Sequence, residues 1–430
     1  IPMEVIDSRV RDVLWEKFWL GLFDEPYIED PGEADRLFAD PEYDKIAMQA
    51  SYESMILLKN QDNFLPLDRA AVRTILVAGP NAADKSHSLS RYGPKKIEFK
   101  SVVEAFREKL GNSVEVLYAR GCGITDTDWP QSELISSVPT AGEMAEIEEA
   151  VAKALQSDVV ILVLGEDNTI VGESHSRTDL DLAGHQELLL ERIIAAGKPV
   201  VLVLMNGRVI TINRAQRDCH AIIEAWFPGK YGGEAIADIV FGDYNPGGKL
   251  TVTFPKTAGQ IPMCFPFKPS AHADSRTTVN GVLYPFGHGL SFTAFDYSNL
   301  VITPAKQLAG GTVEVTVDVR NSGERAGDEV VQLYLRDEVS SVIRFEKELR
   351  GFERISLAPG ETRRVRFMLT PEELQMQDKN MRWTVEPGWF KVMAGSSSED
   401  IRLEGRFEIL PIDRASEPYD STPVGSGLTW

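Results

Sequence analysis

The sequence predicts an α/β fold, an α/β/α sandwich around a largely parallel sheet, followed by an all-β sandwich. Three observations carry this. Short runs rich in Val, Ile and Leu recur between residues 74 and 226, as at 159–164 and 200–205. Segments of helical length separate them, and strands separated by such helices imply a parallel sheet covered on both faces. Beyond Pro285 the period falls to two: Val313, Val315, Val317 and Val319 alternate with polar residues, as in a strand with one buried face.

Taken in order, residues 3–20 carry Val5, Ile6, Val10, Val13, Leu14, Phe18 and Trp19 at roughly helical spacing, and Gly21 is placed to end that helix. A helix that also bears Trp15 needs a partner surface. A second helix is expected at 43–58, after the acidic connector PGEADRLFADPE, and Pro66 in KNQDNFLPL marks a boundary. Strands are expected at 74–79, 114–118, 159–164, 200–205 and 221–226, with helices at 102–110, 142–156, 184–196 and 232–241. Successive crossovers are nearly always right-handed, so the carboxyl ends of these strands share one edge. The tips AGPNAAD, GEDNTIVGE, MNGR and WFPGKYGGE then face one side together.

Residues 255–285 are irregular and proline-bearing and read as a surface linker. Further strands at 363–369 and 390–394 are separated by the turn signals APGE and EPGW. About seven short strands over about 100 residues, without an internal disulfide, describe an immunoglobulin-like or fibronectin type III-like sandwich. The expected segments are a helical region at 1–70, the α/β sandwich at 71–255, a linker at 256–298, the β-sandwich at 299–410 and a Pro-, Ser-, Gly- and Thr-containing tail at 411–430.

A chain of 430 residues fits about three domains. Its hydrophobic share of 43% and charged share of 26% are those of an ordinary soluble protein. Lysine and arginine number 45 against 65 acids, a formal charge of −20. Such a surface repels nucleic acid and anionic lipid and favours a neutral or cationic small partner. No apolar run reaches the roughly 18 residues of a membrane span, and the opening IPMEVIDSRVRDVLWEKF does not read as a signal peptide. Cys122, Cys219 and Cys264 are odd in number and far apart, which points to reduced core residues rather than a disulfide frame or a metal knuckle.

The candidate site is the loop GEDNTIVGESHSRTDLDL, residues 165–182, at the carboxyl end of the 159–164 strand, where open α/β sheets hold ligands. It carries Glu166 and Glu173, with His175, Arg177 and Asp179 close behind. Asn206 and Arg208 stand at the next strand end, where a rim role competes with a turn role. The segment 226–229 reads as packing on the sheet edge.

The blocks LGLFDEPY, SMILLKNQDNFLPL, ILVAGPNA, YARGC, GKPVVLVLMNGR, GGEAIADIVFGDYNPGGKLTVTFP, LYPFGHGLSFT, RNSGERAGDEVVQLYLRD and KELRGFERISLAPGE occur in the order of the bacterial β-glucosidases of glycoside hydrolase family 3, which this chain resembles from residue 12 to about 408. The resemblance implies an α/β sandwich and a fibronectin type III-like domain. It also implies exo-acting, retaining hydrolysis of terminal β-linked sugars without cofactor or metal. Members it resembles begin with a (β/α)8 barrel that holds the nucleophilic aspartate. On this reading 1–70 is the helical linker from that barrel, and no nucleophile lies in this chain. GESHSRTDLDL matches the acid/base loop, making Glu173 the acid/base candidate. Glu166, Arg177 and Arg91 become candidate substrate contacts, the last beside Tyr92 on a loop resembling one that reaches outer sugar subsites. Arg177 is expected to pair with Asp179 or to reach a sugar hydroxyl.

The expected partners are therefore a β-linked oligosaccharide or glycoside and a barrel segment or chain, with a homodimer left open. A periplasmic or secreted location is expected, with the cytoplasm as the alternative. A non-catalytic carbohydrate-binding or assembly subunit is the competing function. A nucleotide-binding reading of ILVAGPNA fails because neither GxGxxG nor GxxxxGK[ST] is present to cradle phosphate.

Overall fold

The computed structural model describes residues 1–27, 30–85, 91–93, 97–262, 264–269 and 279–411. The expected tail lies outside them apart from Pro411, as does part of the expected linker. The chain divides into two units, Ile1–Gln49 and Ala50–Trp430. In the first, α1 spans Met3–Trp19 and Gly21 follows at φ +70°. None of the residues of α1 is buried, and Val10, Leu14, Trp15 and Phe18 line an apolar cleft along it. A short α2, Gly32–Phe38, forms inside the acidic connector, where no helix was expected. Asp30 makes it: one carboxylate oxygen accepts from the Gly32 N–H at 2.9 Å and the other from Arg36 at 2.6 Å.

Helix α3 runs from Pro41 to Ser54 and gives way to strand β1, Ile56–Asn60. The helix expected to reach residue 58 is corrected here, since it ends at Ser54 and a strand follows. Ile56, Leu57 and Leu58 are buried, and β1 pairs antiparallel with β6, Ala221–Glu224. An apolar run after a helix can extend the helix or join a sheet edge, and burial on both faces decides for the sheet.

The remaining strands of this sheet are β2 (Thr74–Ala78), β3 (Glu115–Ala119), β4 (Val159–Gly165) and β5 (Val200–Met205). Among the described residues the order is β1-β6-β5-β4-β2-β3, parallel apart from β1. Helices α4 (Val102–Leu110), α5 (Ala141–Gln156), α6 (Gln186–Ala195), α7 (Asn213–Asp218) and α8 (Gly232–Phe241) cover it. Strand β4 shows why both faces are dry: Val159, Ile161 and Val163 pack with Phe106 of α4 and Phe241 of α8. Val160, Leu162 and Leu164 pack with Ile147 of α5 and Leu189 and Ile193 of α6. All of β4 is buried, each apolar side chain contributing ~1.5–3 kcal/mol. The α/β/α architecture follows from these two half-cores.

The expected linker keeps a largely exposed course among the described residues and is anchored near its ends. Phe254 and Tyr284, paired in an isolated antiparallel bridge, are buried in the second half-core, so this segment is tied into the sheet domain. Beyond it come β7 (Phe295–Thr303), β8 (Lys306–Leu308), β9 (Val313–Asn321), β10 (Gly327–Asp337), β11 (Glu348–Leu357), β12 (Thr362–Leu369), α9 (Pro371–Leu374), β13 (Met376–Gln377), β14 (Trp383–Thr384), β15 (Gly388–Gly395) and β16 (Ile401–Leu410). Among the described residues these form a five-stranded sheet, β11-β10-β15-β16-β8, facing a three-stranded one, β12-β9-β7, with a small β13-β14 ribbon. Val313, Val315, Val317 and Val319 turn inward as their alternation requires, against Val331, Leu333 and Phe407. Half-buried Lys249 joins the two domains: it donates to the Gly289 carbonyl at 2.8 Å and to Ser396 Oγ at 2.7 Å, with Glu329 at 3.4 Å. No helix among the described residues is long and apolar enough to cross a membrane.

Candidate active site

Because β2 to β6 run parallel, the segments after them meet at one edge, and the 166–182 loop leaves β4 there. Its point of departure is closed by Gln186, which is fully buried and makes two reciprocal bonds with Gly165: Nε2 to the carbonyl and the N–H to Oε1, each 2.8 Å. Gly165 itself has φ +138°, and a Cβ there would stand 2.1 Å from the Met205 carbonyl oxygen. Only glycine lets β4 and β5 approach so closely before the loop begins.

The root of the loop is a charge cluster out of water. Glu166 is 1% exposed. One oxygen lies 3.3 Å from Arg177 Nη1 and 2.9 Å from Arg208 Nε, while the other accepts from the Gly207 N–H at 3.2 Å. The Arg208 contact is an ion pair whose N–H is not aimed at the oxygen. Burial pushes the Glu166 carboxyl up, against the pull of Arg208, the Gly207 N–H and Arg177. Arg177 also donates to Glu133 and to the Asp181 carbonyl at 3.0 Å, and its guanidinium lies over the Trp129 ring. Burial disfavours charge on Glu133, but the Thr178 N–H and Arg177 outweigh it and hold that carboxyl below its usual range. At the end of β6, Glu224 is fully buried and pushed up to about 8 by burial, so it is protonated at neutral pH.

The tip is built differently. Glu173 is exposed and sits between Gly172 at φ +114° and Ser174 at φ +67°, in a turn closed by the His175 N–H on the Gly172 carbonyl at 3.1 Å. Both main-chain groups of Glu173 are held from a second loop. Arg91 Nη1 donates to its carbonyl at 2.7 Å, and its N–H donates to the Tyr92 hydroxyl at 2.8 Å. Arg208 ties the same turn to the end of β5, donating to the carbonyls of Ile170 at 2.8 Å and His175 at 3.1 Å. The backbone is fixed from three directions while the carboxyl projects into solvent.

The pairing expected of Arg177 is thereby corrected, and the other expected residues are placed. Glu166 and Arg177, expected as sugar contacts, are buried and paired with each other. Arg177 finds Glu133 and Glu166 rather than Asp179, because Asp179 bonds the neighbouring N–H groups of Leu180 and Asp181. Arg91, also expected to touch sugar, is engaged by the Glu173 main chain. Arg208 is a tie between two loops, and Trp226 is half-buried against Phe254, as sheet-edge packing requires. Glu133 and Glu224 were not foreseen. The former lies 44 residues from its partner, and nothing in the local pattern connects them. No group of three His, Cys, Asp or Glu able to hold a metal occurs among the described residues.

Two family models match this chain: the glycosyl hydrolase family 3 C-terminal domain over residues 55–292 and a fibronectin type III-like domain over 329–398. The chain belongs to glycosyl hydrolase family 3. A β-xylosidase of Formosa agariphila is 38% identical over 407 residues, covering 92% of this chain and 54% of that protein. A periplasmic β-glucosidase of Salmonella typhimurium is 37% identical, covering 95% and 56%. A solved β-glucosidase of Erythrobacter marinus superposes with a TM-score of 0.82 at 39% identity, covering 91% of this chain and 53% of that one. The family 3 chain described here thus spans about half the length of the curated relatives it matches.

Proposed function

We propose that this chain supplies the acid/base half of a retaining, exo-acting β-glycosidase, with Glu173 as the proton donor and acceptor. The nucleophilic carboxylate would lie on a (β/α)8 barrel carried by sequence outside these 430 residues. The observation that carries the reading is the tip geometry: an exposed carboxyl on a main chain held by Tyr92, Arg91 and Arg208. An acid/base group must meet the glycosidic oxygen within about a hydrogen-bond length, and a fixed backbone with a free side chain serves that need. The apolar cleft of α1 would face the barrel.

Retaining hydrolysis needs its two carboxyl groups about 5–5.5 Å apart. In the first step the nucleophile bonds to the anomeric carbon as the glycosidic C–O bond breaks, and the departing oxygen takes the Glu173 proton. In the second step Glu173 carboxylate removes a proton from water, whose oxygen attacks the anomeric carbon and releases the nucleophile. Closing the barrel over Glu173 would take it out of water and set a second carboxylate beside it. The substrates proposed are glycosides with terminal β-linked glucose or xylose, in keeping with the names of the relatives. A periplasmic or secreted location is proposed on the same ground.

The direct test is hydrolysis of an aryl β-glucoside and an aryl β-xyloside by this chain alone and after mixing with a separately produced barrel. Activity is expected in the mixture only. Its failure to appear with a folded, associated barrel would favour the non-catalytic assembly reading.

A further inference from the structure

Strands β5 and β6 pair in parallel and end side by side, Leu204 opposite Glu224. Glu224, the last residue of β6, is fully buried. Its Oε1 accepts from the Trp226 N–H at 2.9 Å, and its Oε2 accepts from Asn206 Nδ2 at 3.3 Å. Trp226 holds φ +53°, in the left-handed region that a bulky side chain rarely adopts. Backbone strain of this kind collects at functional sites. The Asn206 amide, also fully buried, donates at 2.7 Å to the Arg208 carbonyl two residues on, while its own oxygen accepts no bond among the described residues. Its donor side is therefore the side in use. Between them Gly207 is wedged: a Cβ there would stand 2.5 Å from Val171 Cγ1 and 2.7 Å from Phe227 Cε2. The 206–208 turn thus touches the acid/base loop on one side and the segment after β6 on the other.

We propose that Glu224 is a positioning residue for Glu173: it fixes Asn206, Asn206 fixes the Arg208 main chain, and the Arg208 guanidinium holds the carbonyls of Ile170 and His175 on either side of the acid/base residue. This rests on the acid/base reading of Glu173. A carboxyl out of water carries a desolvation cost that an apolar side chain of the same size would avoid. Such a side chain would leave the Trp226 N–H and the Asn206 amide without their acceptor. Glu224 has no exposed surface, so it reaches the tip only through these bonds.

The test is amide hydrogen exchange by NMR on the 430-residue chain, read at Glu173 and His175 and, as a reference, along β2 and β3 on the far side of the sheet. Glu224→Leu removes both acceptors at similar volume, and Glu224→Asp withdraws the carboxyl by one carbon should the first misfold. In either, exchange at the two tip amides should quicken about tenfold and their chemical shifts should move, with β2 and β3 unchanged. Glu224→Gln keeps an acceptor for the Trp226 N–H and a polar group beside Asn206, so tip exchange should return to within about threefold of the wild type. Arg208→Met should quicken the tip as Glu224→Leu does, and combining the two should add nothing, because both act through one path. Tip exchange unchanged in the Leu and Asp variants, equal quickening along β2 and β3, no recovery in Glu224→Gln, or additive effects with Arg208→Met would each overturn the proposal. Exchange is read without turnover, so failure here leaves the acid/base reading intact, and failure of the barrel mixture leaves the measured coupling in place.

Discussion

Glu166 and Glu173 lie on one loop, yet the structure treats them as opposites. Glu166, at the root, is shut away from water between Arg177 and Arg208. Glu173, at the tip, keeps its side chain in solvent and has only its main chain restrained. The root spends its charges on one another to hold the loop's course. The tip leaves its carboxyl uncommitted, which a group that must exchange protons with a substrate requires.

The sharpest way to break this contrast is at the root. Arg177→Ala leaves Glu133 without its cation and buried Glu166 with Arg208 alone, and breaking a buried pair costs ~3–5 kcal/mol. Denaturant unfolding should show that loss. Arg177→Lys should recover only part of it, since an ammonium lacks the planar fork that serves two carboxylates. A loss below ~1 kcal/mol would mean the root is not held this way.

A second prediction concerns pH. Glu224 has an ordinary value of 4.5 and is pushed to about 8 by burial. Between those values it is ionised only in the unfolded chain, so stability falls as pH rises through that window and levels off above it. Glu224→Gln should flatten this part of the stability profile, and an unchanged slope would contradict the assignment. At the tip the effects are smaller. Tyr92→Phe removes one bond to the Glu173 N–H, worth ~0.5–1.5 kcal/mol. Hydrogen exchange at that amide should quicken while the global unfolding midpoint stays nearly in place. Smallest of all, Glu173→Gln should change stability by no more than ~0.5 kcal/mol.

Much of this architecture was readable in the sequence because short dry strands leave little choice: the runs that became β4 and β5 are too short and too apolar for anything else. Strand β1 escaped because Met55 to Leu58 follow a helix without a break in polarity, and pairing with β6 decides their state. Six-residue α7 and the β13-β14 ribbon are shorter than any periodicity can report. At the site, position on the chain located the loop, but residue type could not separate a buried carboxylate from an exposed one. Nothing local signals the pairing of Arg177 with Glu133, 44 residues away. The use of Arg91 and Tyr92 as clamps on a main chain has no sequence signal.

The central claim is that the tip, not the root, carries the transferable proton. It is tested most directly by the leaving-group dependence of Glu173→Gln and Glu166→Gln in the assembly that includes the nucleophile-bearing barrel. Glu173→Gln should lower turnover of alkyl β-glycosides ~10²–10⁴-fold while nearly sparing glycosides of acidic phenols, whose departure needs no proton. Glu166→Gln should reduce both kinds equally, in step with its effect on folding. Equal loss on both kinds with Glu173→Gln, or selective loss with Glu166→Gln, would contradict the account.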